Sequence, residues 1–146
     1  MTYSNDEVSN ITRALRGILL RVVQTMPVWL YAGLVQAQIP PELEAITGTY
    51  HGEALNGSDL DPVTTTFRLG SGGRLVGEYV IDDEAGTFNG TISNAFFENG
   101  TLFIEWTDRD GEGYAELTFS SDFRRFDGFW GSLDSENQNP WNGRRE

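Results

Sequence analysis

Few residues in this chain have chemistry to offer. His51 is the only histidine. Glu53 follows two positions later, on the same face of a β-type segment, where an imidazole and a carboxylate could act as a base pair. A solvated surface pair is the more frequent reason for that spacing. Asp108-Arg109-Asp110-Gly111-Glu112-Gly113 opens like a calcium loop, but the twelfth place counted from Asp108 is Phe119, where an EF-hand needs a bidentate glutamate. It reads as a tight acidic turn between two strands, and so do Ser58-Asp59-Leu60-Asp61 and Asp82-Asp83-Glu84. The absence of cysteine excludes disulfides, thiol catalysis and Cys-ligated zinc. There is no G-x-S-x-G elbow, no phosphate-binding loop and no dinucleotide fingerprint. The sequence predicts no catalytic residue, no metal ligand set and no cofactor.

Aromatic side chains carry more information. Tyr50, Tyr79, Trp106 and Trp130 each fall in a β-type segment, and we expect them to line a ligand pocket, with His51, Asn56 and Ser58 as polar contacts. Phe96 and Phe97 are adjacent, so a strand cannot bury both. An exposed group at Phe96, Phe97 and Phe129 would mark a partner surface, unless the N-terminal segment or the tail around Trp141 covers it.

The elements that position these residues are short β segments at 46–55, 63–69, 74–82, 87–93, 101–108, 114–120 and 125–131, with a last one from Trp141. Alternation is plain: Leu102, Ile104 and Trp106 oppose Thr101, Phe103 and Glu105, while Ala115, Leu117 and Phe119 oppose Tyr114, Glu116 and Thr118. Asn56-Gly57, Asn99-Gly100 and Asp110-Gly111 supply turns, and Asn89-Gly90, inside a strand, reads as a turn or a bulge. Glycine recurs beside an aromatic residue, as in Gly77-Glu78-Tyr79 and Gly128-Phe129-Trp130-Gly131. In a small curved barrel, glycine relieves a bend and a ring covers it. About eight strands in a meander close naturally into an all-β, antiparallel up-and-down barrel.

Charge narrows the partners. The chain holds 22 acids and 10 bases, for a net charge of −12. That balance argues against nucleic acid, whose phosphates need basic patches. The first 37 residues differ: they hold Arg13, Arg16 and Arg21 against Asp6 and Glu7, then the apolar run Val28-Trp29-Leu30-Tyr31-Ala32-Gly33-Leu34-Val35 and a small-residue end at Ala37. Residues 1–37 thus read as a signal peptide for secretion or periplasmic export. They read alternatively as a retained amphipathic helix capping the barrel of a cytoplasmic protein, with Ile11, Leu15, Ile18, Leu19, Val22 and Met26 at helical spacing. The apolar run is too short for a membrane span, which takes about 20 residues. Residues 38–45 read as a linker, Gln38-Ile39-Pro40-Pro41 being extended, and 46–146 as the barrel domain.

Ile46-Thr47-Gly48-Thr49-Tyr50, Gly73-Arg74-Leu75-Val76-Gly77-Glu78-Tyr79, Leu102-Phe103-Ile104-Glu105-Trp106 and Phe126-Asp127-Gly128-Phe129-Trp130-Gly131 set a rhythm that resembles avidin-type and other calycin up-and-down barrels. The resemblance implies the fold. It does not extend to a biotin site, because the family's Asn and Ser just after the first strand are matched only by the displaced Asn56 and Ser58. A fold shared is not a function shared. The sequence therefore points to a small exported, non-catalytic binding module that holds a small apolar or amphipathic ligand in a barrel mouth. Two alternatives stand beside it: a filled-core barrel with a protein partner, and an enzyme built around His51 and Glu53.

Overall fold

The computed structural model describes residues 38–136 and 138–146. The readings of residues 1–37 as a signal peptide or capping helix, and Trp29 with them, lie outside the described residues. From Ile39 onward the chain forms one unit. Its strands are β1 (Gly48–Asn56), β2 (Asp59–Leu69), β3 (Leu75–Asp83), β4 (Gly86–Glu98), β5 (Thr101–Asp108), β6 (Gly111–Phe119), β7 (Arg125–Ser132) and β8 (Asn139–Arg144). Each pairs antiparallel with the next, and β8 returns to β1, so the sheet is a closed eight-stranded up-and-down barrel. This architecture is consistent with a calycin-like fold. Closure leaves no sheet edge to pair with another chain.

The turn chemistry explains the meander. Asn99 and Gly100 both take positive φ, 51° and 85°, and join β4 to β5 as the twist of paired strands prefers. Asp108 joins β5 to β6 by folding its own carboxylate back, its Oδ1 accepting the amides of Asp110 at 2.8 Å and Gly111 at 3.2 Å. Asn89-Gly90 is neither turn nor bulge but regular strand, paired to Val80 and Tyr79. The bulge falls at Asn94, with φ of 47°, where the β4–β5 register shifts. The extra residue reverses the facing of the rest of β4, so Ala95 and Phe97 pack against the core and Phe96 stands outside, 58% exposed.

Inward residues split into two layers along the barrel. One end is a solid floor. Tyr50, Phe67, Phe119 and Phe126 meet there with ring centroids 5.4–6.3 Å apart. Such edge-on and tilted aromatic pairs add attraction beyond area burial. Gln38 to Pro40 carry no regular structure, and the residues after them, read from sequence as linker, form a short helix, α1 (Pro41–Ile46), that starts on a proline with no amide to lose. Its last residue, Ile46, is fully buried in the core. The Tyr50 hydroxyl shares its one proton between the carbonyls of Ile46 at 3.0 Å and Phe123 at 2.8 Å, tying that helix and the β6–β7 turn to the barrel. Arg145 closes the same end, donating to Thr47 O at 2.7 Å with its guanidinium 5.4 Å from the Tyr50 ring centre.

On the outer wall, Phe96, Phe103, Glu116 and Phe129 stand in register across β4 to β7. Phe96, Phe103 and Phe129 are exposed there, with Phe96 and Phe103 6.3 Å apart. Neither the tail nor Trp141 covers them, because Trp141 points into the barrel. No helix among the described residues is long and apolar enough to cross a membrane.

Candidate functional site

The opposite end of the barrel, where the β1–β2, β3–β4 and β5–β6 turns lie, holds a cavity of about 60 Å³. Its lining is mostly ring and alkyl surface: Tyr79, Trp106, Trp130, Trp141, Phe88, Ile81 and Ala54, with Leu55, Asn56, Asp108 and Asp110 toward the turns. Trp106 and Trp130 pack edge-to-face at 5.2 Å, and Tyr79 and Trp141 likewise at 5.0 Å.

Glycines on neighbouring strands make room for these rings. Tyr79 lies opposite Gly90, Trp106 opposite Gly113 and Trp141 opposite Gly128. A Cβ on Gly90 would stand 2.0 Å from Tyr79 Cζ, and one on Gly113 would stand 2.8 Å from Trp106 Cζ2. The glycine–aromatic punctuation of the sequence is therefore cross-strand: Tyr79 and Trp106 each lie against a bare backbone on the next strand, room that a small barrel radius requires.

Every indole N–H of the pocket is already committed to the barrel. Trp106 Nε1 donates to Gly131 O at 3.2 Å, Trp130 Nε1 to Leu55 O at 3.1 Å, and Trp141 Nε1 to Thr65 Oγ1 at 3.1 Å. The Tyr79 hydroxyl donates to Asp108 Oδ2 at 2.7 Å. Rings held by both packing and a polar tether have fixed orientations, so the pocket is preformed. Asn56 Nδ2 donates to Asp61 Oδ2 at 2.8 Å on the rim. Arg109 lies across the Phe88 ring at 4.1 Å, between Asp83 at 3.4 Å and Asp110 at 3.5 Å.

Burial, first, and then the hydrogen bond and negative charge of Asp108, with Asp110 beyond, push the Tyr79 phenol far above its usual range. This raised value has a definite sign for stability. Above the ordinary tyrosine value of about 10 the unfolded chain releases this proton while the folded chain keeps it, so the contribution is complete below that pH and declines as pH rises. Tyr79→Phe is accordingly expected to flatten the fall in urea midpoint between about pH 10 and 11.5 relative to the wild type. Parallel slopes for the two proteins would contradict this assignment.

Of the residues expected to line a pocket, Tyr79, Trp106 and Trp130 come together here, and Asn56 sits beside them. Tyr50 belongs to the floor at the other end. His51 is on the outer wall, its Nδ1 sharing a hydrogen bond with Thr64 Oγ1 at 3.2 Å, and Glu53 lies opposite Pro62. Ser58 lies in the exposed β1–β2 turn and donates to Asp59. Sequence reasoning does not single out Trp141, Phe88, Ile81, Ala54 or Asp108 as pocket residues. Trp141 hides in Asn139-Pro140-Trp141-Asn142-Gly143, whose composition is that of a turn, although an aromatic residue at a barrel's closing strand is a usable signal. Among the described residues no group of three or more His, Asp or Glu is gathered to hold a metal ion. No protein-family model, no curated protein and no solved structure matches this chain.

Proposed function

We propose that this barrel is a non-catalytic binding module that takes a small apolar or amphipathic ligand into the mouth pocket. One observation carries the reading: five aromatic side chains from five different strands converge on a preformed cavity whose tryptophan N–H groups are all satisfied by the barrel itself. A filled core would occupy that space with side chains, as the rings of the floor do at the other end. The size sets a limit. An engineered apolar cavity of about 150 Å³ takes up benzene, so about 60 Å³ suits a head group or small molecule and not a whole bicyclic ring system. A biotin-type site is therefore no part of the proposal.

Three of the four tryptophans line the pocket, so intrinsic fluorescence reads occupancy directly. A panel of small apolar and amphipathic compounds is expected to include members that quench or shift the emission saturably. Silence across the whole panel would argue against a pocket. Ala54→Leu supplies the steric control: the added side chain fills the cavity, so binding is expected to disappear while the melting temperature holds or rises, as cavity-filling changes commonly give about 0.5–2 kcal/mol. Binding that survives in Ala54→Leu would place the ligand elsewhere.

The exposed Phe96–Phe103–Phe129 belt supports a second reading, a barrel that meets a protein partner through its outer wall. The same panel separates the two, since Phe103→Ser lies on the far side of the wall from the cavity and leaves pocket titrations as they are.

A further inference from the structure

Resting on the pocket reading above, we infer that the ligand is a small organic cation, an ammonium group carrying methyl-sized apolar substituents. Four observations converge. First, the walls are π surfaces. Trp106, Trp130, Trp141, Tyr79 and Phe88 present rings, and an aromatic ring attracts a cation to its face, tryptophan most strongly. Second, the charged groups of the lining are of one sign. The tryptophan and tyrosine donors are consumed inside the protein, and the charged groups that remain toward the turns are the carboxylates of Asp108 and Asp110. An anionic ligand would meet carboxylates where it needs a cation.

Third, charge is sorted between the two ends. The described residues of the four turns at the mouth, 56–59, 83–86, 108–111, 132–136 and 138–139, contain seven Asp or Glu and one Arg. At the floor end Arg124, Arg125, Arg144 and Arg145 lie together with Asp122 and Glu146 among them. A cleft walled by low-dielectric rings and rimmed with one sign of charge concentrates counter-ions of the other sign. Fourth, the single arginine of the mouth already behaves as a bound cation, resting on the Phe88 ring at 4.1 Å between Asp83 and Asp110. Arg109 is more than half exposed, so it can swing aside, and a ligand cation competes with it for the same carboxylate field. The cavity's about 60 Å³ takes one or two of the methyl groups against the rings, and the rest of the cation stands in the open mouth beside the carboxylates.

The test is a pair of isosteres titrated into the full chain at low salt and followed by tryptophan fluorescence and calorimetry. Choline carries a quaternary nitrogen where 3,3-dimethylbutan-1-ol carries a carbon, at the same shape. Choline is expected to bind about tenfold or more tightly, the preference shrinking as salt screens the rim. Asp108→Asn keeps the acceptor that closes the β5–β6 turn and removes the charge, so the choline preference is expected to fall several-fold. Arg109→Gln removes the resident competitor, so choline is expected to bind roughly threefold more tightly. Equal or tighter binding of the neutral alcohol overturns the cation and leaves the pocket standing. Binding of neither compound, together with silence of the wider panel, overturns both.

Discussion

Tyr50→Ala is expected to cost about 3–5 kcal/mol, the usual range for deleting a large buried aromatic ring. Tyr50 is fully buried and touches the rings of Phe67, Phe119 and Phe126, so its loss opens a void where the floor is most tightly packed. Cavities of that kind relax only in part, which is why the loss exceeds the transfer energy of the ring. Tyr50→Phe isolates the hydroxyl. It keeps the ring and removes the donor to Ile46 O and Phe123 O, leaving two carbonyls to find other partners at a cost of about 1–3 kcal/mol. Urea unfolding followed by fluorescence reads both variants. The expected order is wild type, then Phe, then Ala. A Phe variant indistinguishable from wild type would show that the hydroxyl is not what ties α1 and the β6–β7 turn to the barrel. Because Tyr50 is at the far end from the mouth, Tyr50→Phe is also expected to bind pocket ligands as wild type does, under conditions where it is folded.

Gly90→Ala couples stability to the site. The new methyl would stand 2.0 Å from Tyr79 Cζ and 2.3 Å from its hydroxyl oxygen, and the ring is boxed in by Trp141 at 5.0 Å. Tyr79 must therefore leave its place over the strand, and its hydroxyl must leave Asp108. Overpacking costs about 1–3 kcal/mol and a hydrogen bond to a charged group about 1.5–3 kcal/mol, so a total of roughly 2–5 kcal/mol is expected. A displaced Tyr79 also occupies or distorts the cavity, so ligand titrations should lose their signal in the fraction that remains folded. The double change Gly90→Ala with Tyr79→Ala removes the clashing ring and is expected to recover part of the stability without recovering binding. If Gly90→Ala alone melts and binds as wild type, then Tyr79 does not lie over that glycine.

Much of the barrel is readable from local pattern. The 101–108 segment has the same bounds in sequence and in structure, and the inward sets Leu102, Ile104, Trp106 and Ala115, Leu117, Phe119 are the buried ones. Alternation is a property of two or three neighbouring residues, so a single chain reveals it. Sequence and structure part where one local signal competes with another. Asn89-Gly90 has turn chemistry but serves as strand because the Tyr79 ring needs a bare backbone opposite. The alternation of β4 breaks after Ser93, where the sequence ends the strand, yet the break is a bulge at Asn94 and the strand runs on to Glu98. Asp59 to Pro62 has the composition of a loop and is strand, Pro62 lying with its side chain exposed.

The sequence by itself determined an antiparallel barrel, its inward and outward faces, an acidic surface and the scarcity of catalytic groups. Only the tertiary structure decided height along the barrel axis. Tyr50 and Tyr79 both point inward from strands of similar pattern, yet one seals the floor and the other walls the mouth. That difference depends on the stagger between strands and on which turns share an end. Stagger is set by the closure of all eight strands together, through β8 onto β1, and no window of neighbouring residues encodes it. The same closure brings Trp141 to Tyr79 and Asp108 to the Tyr79 hydroxyl, across 62 and 29 residues of chain.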